Sequence, residues 1–218
     1  MIKYQELAEE MQNNGKNVSF ATEFKTSVQE LKHFGFYESA LTIFQELGGQ
    51  NQQFPVSIVR ETLLIDEKLI IVIDDHSHFN RYRSMTLRSD IYNSLKGVDA
   101  EKYRRYCRMH EKECLKSGLL TEKWANTKSI EYFGQPSDPG DFFGNGSSGW
   151  KLKAFEDFML DIIAMIKKLE LIRISCYDNI LQNGQLVRIS KLLESRNNLL
   201  IMGKYLTKKI NGHLNYNN

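Results

Sequence analysis

The chain has 218 residues, is 41% hydrophobic and carries a formal charge of only +2, so it can build one sizeable core and has no global field that announces nucleic acid. Any nucleic-acid surface must therefore be local. No apolar run reaches spanning length, the start MIKYQELAEEM has no signal-peptide core, and three irregularly spaced cysteines make no disulfide framework, so the expectation is a soluble cytoplasmic protein without a membrane partner.

Residues 3–13 read as a short amphipathic helix, stopped by Asn13-Asn14-Gly15. Ser19 or Thr22 is the expected cap of a second helix that reaches about Leu31. A break at His33-Phe34-Gly35-Phe36 precedes a third helix from Tyr37 to Leu47, and Gly48-Gly49 closes an N-terminal helical part, residues 1–49. Its apolar side chains read as core and sheet cover.

From Phe54 the pattern changes. Lys68 to Ile73 is almost wholly apolar and β-branched, as a buried strand requires. The strand then delivers Asp74, Asp75, His76 and His78. Asp66-Glu67-Lys68 reads as a tight turn from a preceding strand, and an antiparallel hairpin would return Glu61 beside Asp74. Two such carboxylates could hold a divalent metal. An ordinary solvated strand end, in which Asp74, Asp75 and Ser77 form a strand-to-helix turn, is the alternative.

A helix follows through Leu87, Ile91 and Leu95, closed by Lys96-Gly97, and Asp99 caps the next, from Ala100 to Leu115. Residues 118–150 carry the anchors Trp124, Tyr132 and Phe133 and end in a long irregular loop, 135–149. Ser147 or Ser148 caps a helix whose broad apolar face is Phe155, Phe158, Met159, Ile162, Ile163 and Ile166. Leu171 to Tyr177 is either a late strand or a kinked continuation of that helix. Gly184 marks a turn, residues 186–210 read as one or two helices, and the tail HLNYNN is expected to fray. The reading is a single α/β domain over 1–218, with a core at 54–177 and a C-terminal helical part at 178–218.

Several side chains invite chemistry. Arg81, Arg83 and Arg88 could meet a phosphate backbone, and Arg104, Arg105 and Arg108 could extend the track; with Glu101, Glu111 and Glu113 interleaved, a solvated mixed-charge face is the alternative. Cys107, His110 and Cys114 share one side of a helix, but no C-x₂-C knuckle accompanies them. Two buried thiols and a half-exposed histidine are the preferred reading there, and zinc is not expected. Lys151, early in the later helix, could face the acidic strand end. Self-association is not readable from the sequence.

The stretch Lys68-Leu69-Ile70-Ile71-Val72-Ile73-Asp74-Asp75-His76-Ser77-His78-Phe79 resembles the strand segment of the PD-(D/E)xK restriction-endonuclease-like superfamily, closest in flavour to the very-short-patch-repair type of small endonuclease. There a strand ends in acid-Gly-x-x-His and a helix carrying Asp and Arg follows. Asp74 matches the acid and His78 the histidine, with Arg88 and Asp90 loosely at the helix positions. The resemblance covers residues 56–95. Val72 stands where many relatives have Glu, Asp75 replaces the glycine, no E-x-K triplet follows, and Glu61 must stand in for the first acid. The resemblance implies a small mixed central sheet flanked by helices. It also implies a Mg²⁺- or Mn²⁺-dependent phosphodiester hydrolase acting on DNA. Glu61 and Asp74 would hold the metal, and His78 or Lys151 would position the water or the leaving side. The departures keep open a catalytically inactive relative that serves as a nucleic-acid-binding or protein-interaction module.

Overall fold

The computed structural model describes residues 2–51 and 53–217. In chain order its elements are α1 (Tyr4–Asn13), β1 (Val18–Lys25), α2 (Val28–His33), α3 (Tyr37–Glu46), β2 (Ser57–Ile65), β3 (Leu69–Asp74), α4 (Arg81–Thr86), α5 (Ala100–Lys116), α6 (Thr127–Phe133), α7 (Ser148–Ile166), β4 (Glu170–Ser175), β5 (Asn179–Gln182), β6 (Gln185–Arg188), α8 (Ile189–Leu193) and α9 (Leu199–Asn217). This is a mixed α/β fold. Its central sheet has four strands in the order β1-β2-β3-β4, and β5 and β6 form a separate two-stranded hairpin.

The aliphatic run that forms β3 is buried at every position. It pairs antiparallel with β2, Leu63 opposite Ile71 and Ile65 opposite Leu69, and parallel with β4, Leu69 opposite Glu170 and Asp74 opposite Ser175. The β2–β3 turn places Asp66 and Glu67 at φ 51° and 55°, in the left-handed region, and Lys68 N donates to Ile65 O across it at 3.0 Å. The parallel β3–β4 pair needs a long crossover, and the chain supplies it between Asp75 and Leu169.

The chain divides into two compact units. One comprises Met1–Thr22, Arg60–Asp75 and Leu169–Asn218; the other comprises Glu23–Val59 and His76–Lys168. In the first, one face of the sheet (Leu63, Ile71, Ile73, Ile172, Ile174) shares a core with Leu7 and Met11 of α1, Leu192 of α8 and Met202, Leu206 and Ile210 of α9. In the second, α7 is apolar nearly all round and buried along its length, as the central helix of a core must be. Phe155 of α7 meets Phe44 of α3 at 5.3 Å and Phe54 at 5.6 Å between ring centres. Gly149 lets the start of α7 close on the backbone at Lys123 and Trp124, where a Cβ would strike the Lys123 carbonyl.

The structure changes several local expectations. Val18–Lys25 is a strand, not the start of a helix; its β-branched and aromatic residues pair with β2, and Thr62 Oγ1 donates to Ala21 O at 3.2 Å. Ser27, rather than Ser19 or Thr22, caps the helix that follows, in a capping box with Glu30. The helix expected through Leu95 stops at Thr86, and Asp90–Asn93 forms a separate 3-10 turn. Of the two readings for residues 171–177 the strand is realised, as β4. Residues 185–188 are a strand, because Asn183 and Gly184 at φ 49° and 79° fold β5 back on β6. The backbone of α9 continues to Asn217 where fraying was expected, and Asn218 lies outside the described residues. Among the described residues no helix is long and apolar enough to cross a membrane.

One contact ties α1 to the end of β3. Tyr4 Oη accepts from Ile73 N at 2.6 Å and donates to Ile73 O at 3.0 Å, taking over both backbone groups at that residue. Burial pushes the phenol up to about 12, so it remains a donor at neutral pH. Tyr4→Phe is expected to cost about 1–3 kcal/mol, the penalty of leaving buried backbone groups without this partner. Urea unfolding with an unchanged denaturant slope would register it.

Candidate functional site

Strand parity decides what reaches Asp74. With Leu63, Ile71 and Ile73 on the helix-covered face, Arg60, Val72, Asp74 and Arg173 fall on the other. Carrying the β2–β3 register outward from Leu63 and Ile71 brings Arg60, not Glu61, opposite Asp74. The bonds agree. Arg60 Nη2 donates to Asp74 Oδ1 at 2.8 Å and to Ile73 O at 3.2 Å, and Arg173 Nη1 donates to Oδ1 at 2.9 Å and Oδ2 at 3.1 Å. Asp74 is only 1% exposed. Glu61 is exposed, and as the neighbour of Arg60 it points to the opposite face. The expected Glu61–Asp74 convergence therefore does not form: a one-residue difference in register exchanges the two faces of a strand.

Beyond Asp75 the chain makes a 3-10 turn, His76–His78, that buries Ser77 and His78. His76 stays at the surface, with Nδ1 3.2 Å from Glu113 Oε1. His78 Nδ1 lies 2.7 Å from Asp157 Oδ2, and each side chain is 4% exposed. A carboxylate at Nδ1 fixes the orientation of the imidazole ring. One turn further along α7, Asp161 accepts from Arg83 Nη2 at 3.0 Å and from Tyr92 Oη at 2.7 Å. Arg83 Nη1 also donates to Thr86 Oγ1 and Tyr92 Oη, both at 3.0 Å.

Asp74, His78 and Asp157 are thus buried side chains that each offer one atom of the kind that ligates a divalent metal. The first two stand out in the sequence. Asp157 does not enter the expected site, although Asp157 and Asp161, one turn apart among the apolar residues Phe155 to Ile163 of α7, are a legible signal. Arg60 and Arg173 give none, since only the register assigns them to Asp74.

The basic residues are placed differently from the expected track. Arg83 is 1% exposed and bound to Asp161, so it cannot meet a phosphate backbone from that position. Arg81 forks onto Glu111 (Nε to Oε1 2.7 Å, Nη2 to Oε2 3.1 Å), and its guanidinium stacks 3.9 Å from the Phe142 ring centre. Arg104 contacts Glu101 at 3.3 Å, and Arg108 reaches the same carboxylate at 3.9 Å. Arg88 and Arg105 are exposed.

Cys107, His110 and Cys114 do not converge as metal ligands among the described residues. Both thiols turn inward, Cys114 Sγ to Ser77 O at 3.5 Å, while His110 Nδ1 lies 3.6 Å from Glu113 Oε2. Burial pushes the Cys107 thiol up to about 12. Because the thiolate is the reactive form, neither Cys107 nor buried Cys114 and Cys176 should react with a thiol reagent in the native protein on the timescale of full labelling in urea. Mass spectrometry of the labelled chain reads this directly.

Lys151 donates to Asn145 Oδ1 at 2.6 Å and stands 6.0 Å from the Tyr82 ring centre. Burial holds its ammonium below the ordinary value of 10.5. Between that lowered value and 10.5 the unfolded chain binds more protons than the native one, so the native state gains stability as pH rises through the window. The unfolding free energy of the wild type should climb relative to that of Lys151→Met as pH approaches 10.5, measured by urea titration across the alkaline range.

A small mixed α/β protein with buried Asp and His donors is the class that fold and site define. The chain belongs to the family described as "Family of unknown function (DUF7255)", whose model matches residues 42–195. No curated protein and no solved structure matches it.

Proposed function

We propose that Asp74, His78 and Asp157 hold one divalent cation and that the protein is a metal-dependent phosphodiester hydrolase acting on DNA. The observation that carries this reading is the buried His78–Asp157 pair at 2.7 Å, which follows directly on the strand that ends at Asp74. Two carboxylates and an imidazole suit Mn²⁺ better than Mg²⁺, which favours all-oxygen coordination. Such an ion, when bound, supplies a Lewis acid for the phosphate and lowers the pKa of water. Asp157, 2.7 Å from His78 Nδ1, fixes the orientation of the ring, and His78 serves as a ligand or a proton acceptor. Lys151 stands in this reading as a candidate for positioning the leaving side.

Isothermal titration with Mn²⁺ tests the proposal. His78→Gln and Asp157→Asn should each weaken binding by about 10–100-fold, the usual effect of losing a ligand or its orienting partner, while Glu61→Gln should not. DNA cleavage should disappear with chelator. Wild-type Mn²⁺ affinity in both variants would discard the site.

A second reading has its own support. Arg60 and Arg173 already place three N–H bonds on the Asp74 oxygens, which offsets the negative charge that a metal needs. In that reading the fold is catalytically silent and serves as a nucleic-acid-binding or protein-interaction module. Salt-sensitive DNA association without metal binding or product would be its signature.

A further inference from the structure

In the first unit α9 passes the end of α1, and the two enclose an open groove of about 580 Å³ lined by Asn14, Lys204, Thr207, Lys208, Asn211 and Gly212. None of these described lining residues carries a carboxylate. Lys204 and Lys208 are both exposed and lie one turn apart, about 6 Å along the helix axis. Lys16 adds a third ammonium at the rim, and its Nζ donates to Asn211 Oδ1 at 3.2 Å. With its oxygen so engaged, the Asn211 amide keeps its two N–H donors for another acceptor. Glu10, one turn before Asn14 on α1, keeps its charge at the α1 edge and takes up the Asn14 amide: its Oε1 and its backbone oxygen accept from Asn14 Nδ2 at 2.9 and 2.7 Å. At Gly212 a side chain would find nothing within 4 Å, so the groove is open there.

We propose that this groove binds the sugar–phosphate backbone of DNA, with Lys204 and Lys208 as its principal phosphate contacts. The chemistry is that of a phosphate track: Lys204, Lys208 and the Asn211 amide follow one another on α9, a helix with no Asp or Glu in its sequence. It puts the DNA contact on the first unit, whereas Arg81 and Arg83, in the second, are engaged by Glu111 and Asp161. The inference rests on DNA as the substrate, but it needs no metal.

Fluorescence anisotropy with a labelled duplex oligonucleotide, and with its single strand, in low salt and excess chelator, tests it on the full chain. The double variant Lys204→Gln/Lys208→Gln should bind about tenfold more weakly and lower the slope of log affinity against log salt by roughly two, about one for each ammonium removed from a phosphate. Lys204→Arg/Lys208→Arg should bind as the wild type does, which separates charge from structure. Arg105→Gln/Arg108→Gln on α5 should change little. The proposal is overturned if the wild type does not bind either oligonucleotide, if the Lys→Gln pair keeps wild-type affinity and slope, or if the α5 pair carries the loss instead. Because chelator is present throughout, failure here leaves the Mn²⁺ titration standing, and failure of that titration leaves this result standing.

Discussion

Asp161→Ala is expected to destabilise the protein by about 3–5 kcal/mol, the cost of removing one partner from a buried ion pair. Asp161 is 0% exposed and Arg83 1%. The substitution takes from the guanidinium its 3.0 Å carboxylate partner and from Tyr92 the acceptor of its 2.7 Å bond. A charged group kept from water without its counter-charge is what makes such losses large, whereas an exposed pair such as Lys25–Glu23 is worth at most about 1 kcal/mol. Arg83→Met should cost a similar amount, for the reciprocal reason. Combining Arg83→Met with Asp161→Leu should cost clearly less than the two single changes added, since no buried charge of the pair then remains. Urea unfolding of the four proteins closes the cycle. Additive losses would show that the pair is not coupled.

Asp74→Ala should be comparably costly, about 3–5 kcal/mol, because the same carboxylate serves two arginines. Arg173, with its side chain 0% exposed, and Arg60, at 15%, both direct Nη atoms onto it. This bears on any test of the proposed function. A protein with Asp74→Ala that does not cleave DNA could have lost its fold before its chemistry, so loss of activity alone would not assign Asp74 a catalytic role. Asp74→Asn retains an oxygen acceptor for the guanidiniums while removing the charge that a metal seeks. The expected result is a variant closer to wild type in urea than Asp74→Ala, yet at least about tenfold weaker in Mn²⁺ titration, equivalent to about 1.4 kcal/mol of binding. If Asp74→Asn binds Mn²⁺ as tightly as the wild type, Asp74 belongs to the ion-pair framework and not to a metal site.

The parts of the fold set by neighbours in the chain are legible without coordinates. The aliphatic run ending at Asp74 forms β3, Asp66-Glu67 forms its turn, and Asp99 and Ser147 cap α5 and α7, because each depends on a few adjacent residues. His78 is legible as a polar group just beyond a buried strand, and it is buried in the 3-10 turn that follows β3. The N-terminal strand and the β5–β6 hairpin are not. Val18–Lys25 and Gln185–Arg188 show no clean alternation, and only pairing with another segment makes them strands.

The candidate site depends most on what local sequence does not carry. Whether Arg60 or Glu61 reaches Asp74 turns on the parity of a hairpin register, and both residues suit a strand equally well until the register is known. Asp157 stands 79 residues from His78 in the chain, and nothing near either one announces the other. The arginines read as a phosphate track differ in the same way: in sequence Arg83 looks as available as Arg88, but Asp161 of α7 neutralises it in the core. Local propensity set most helices, β3 and its turn, while pairing made the remaining strands and tertiary packing decided the partner of each buried charge, since a charge leaves water only where distant residues supply its counterpart.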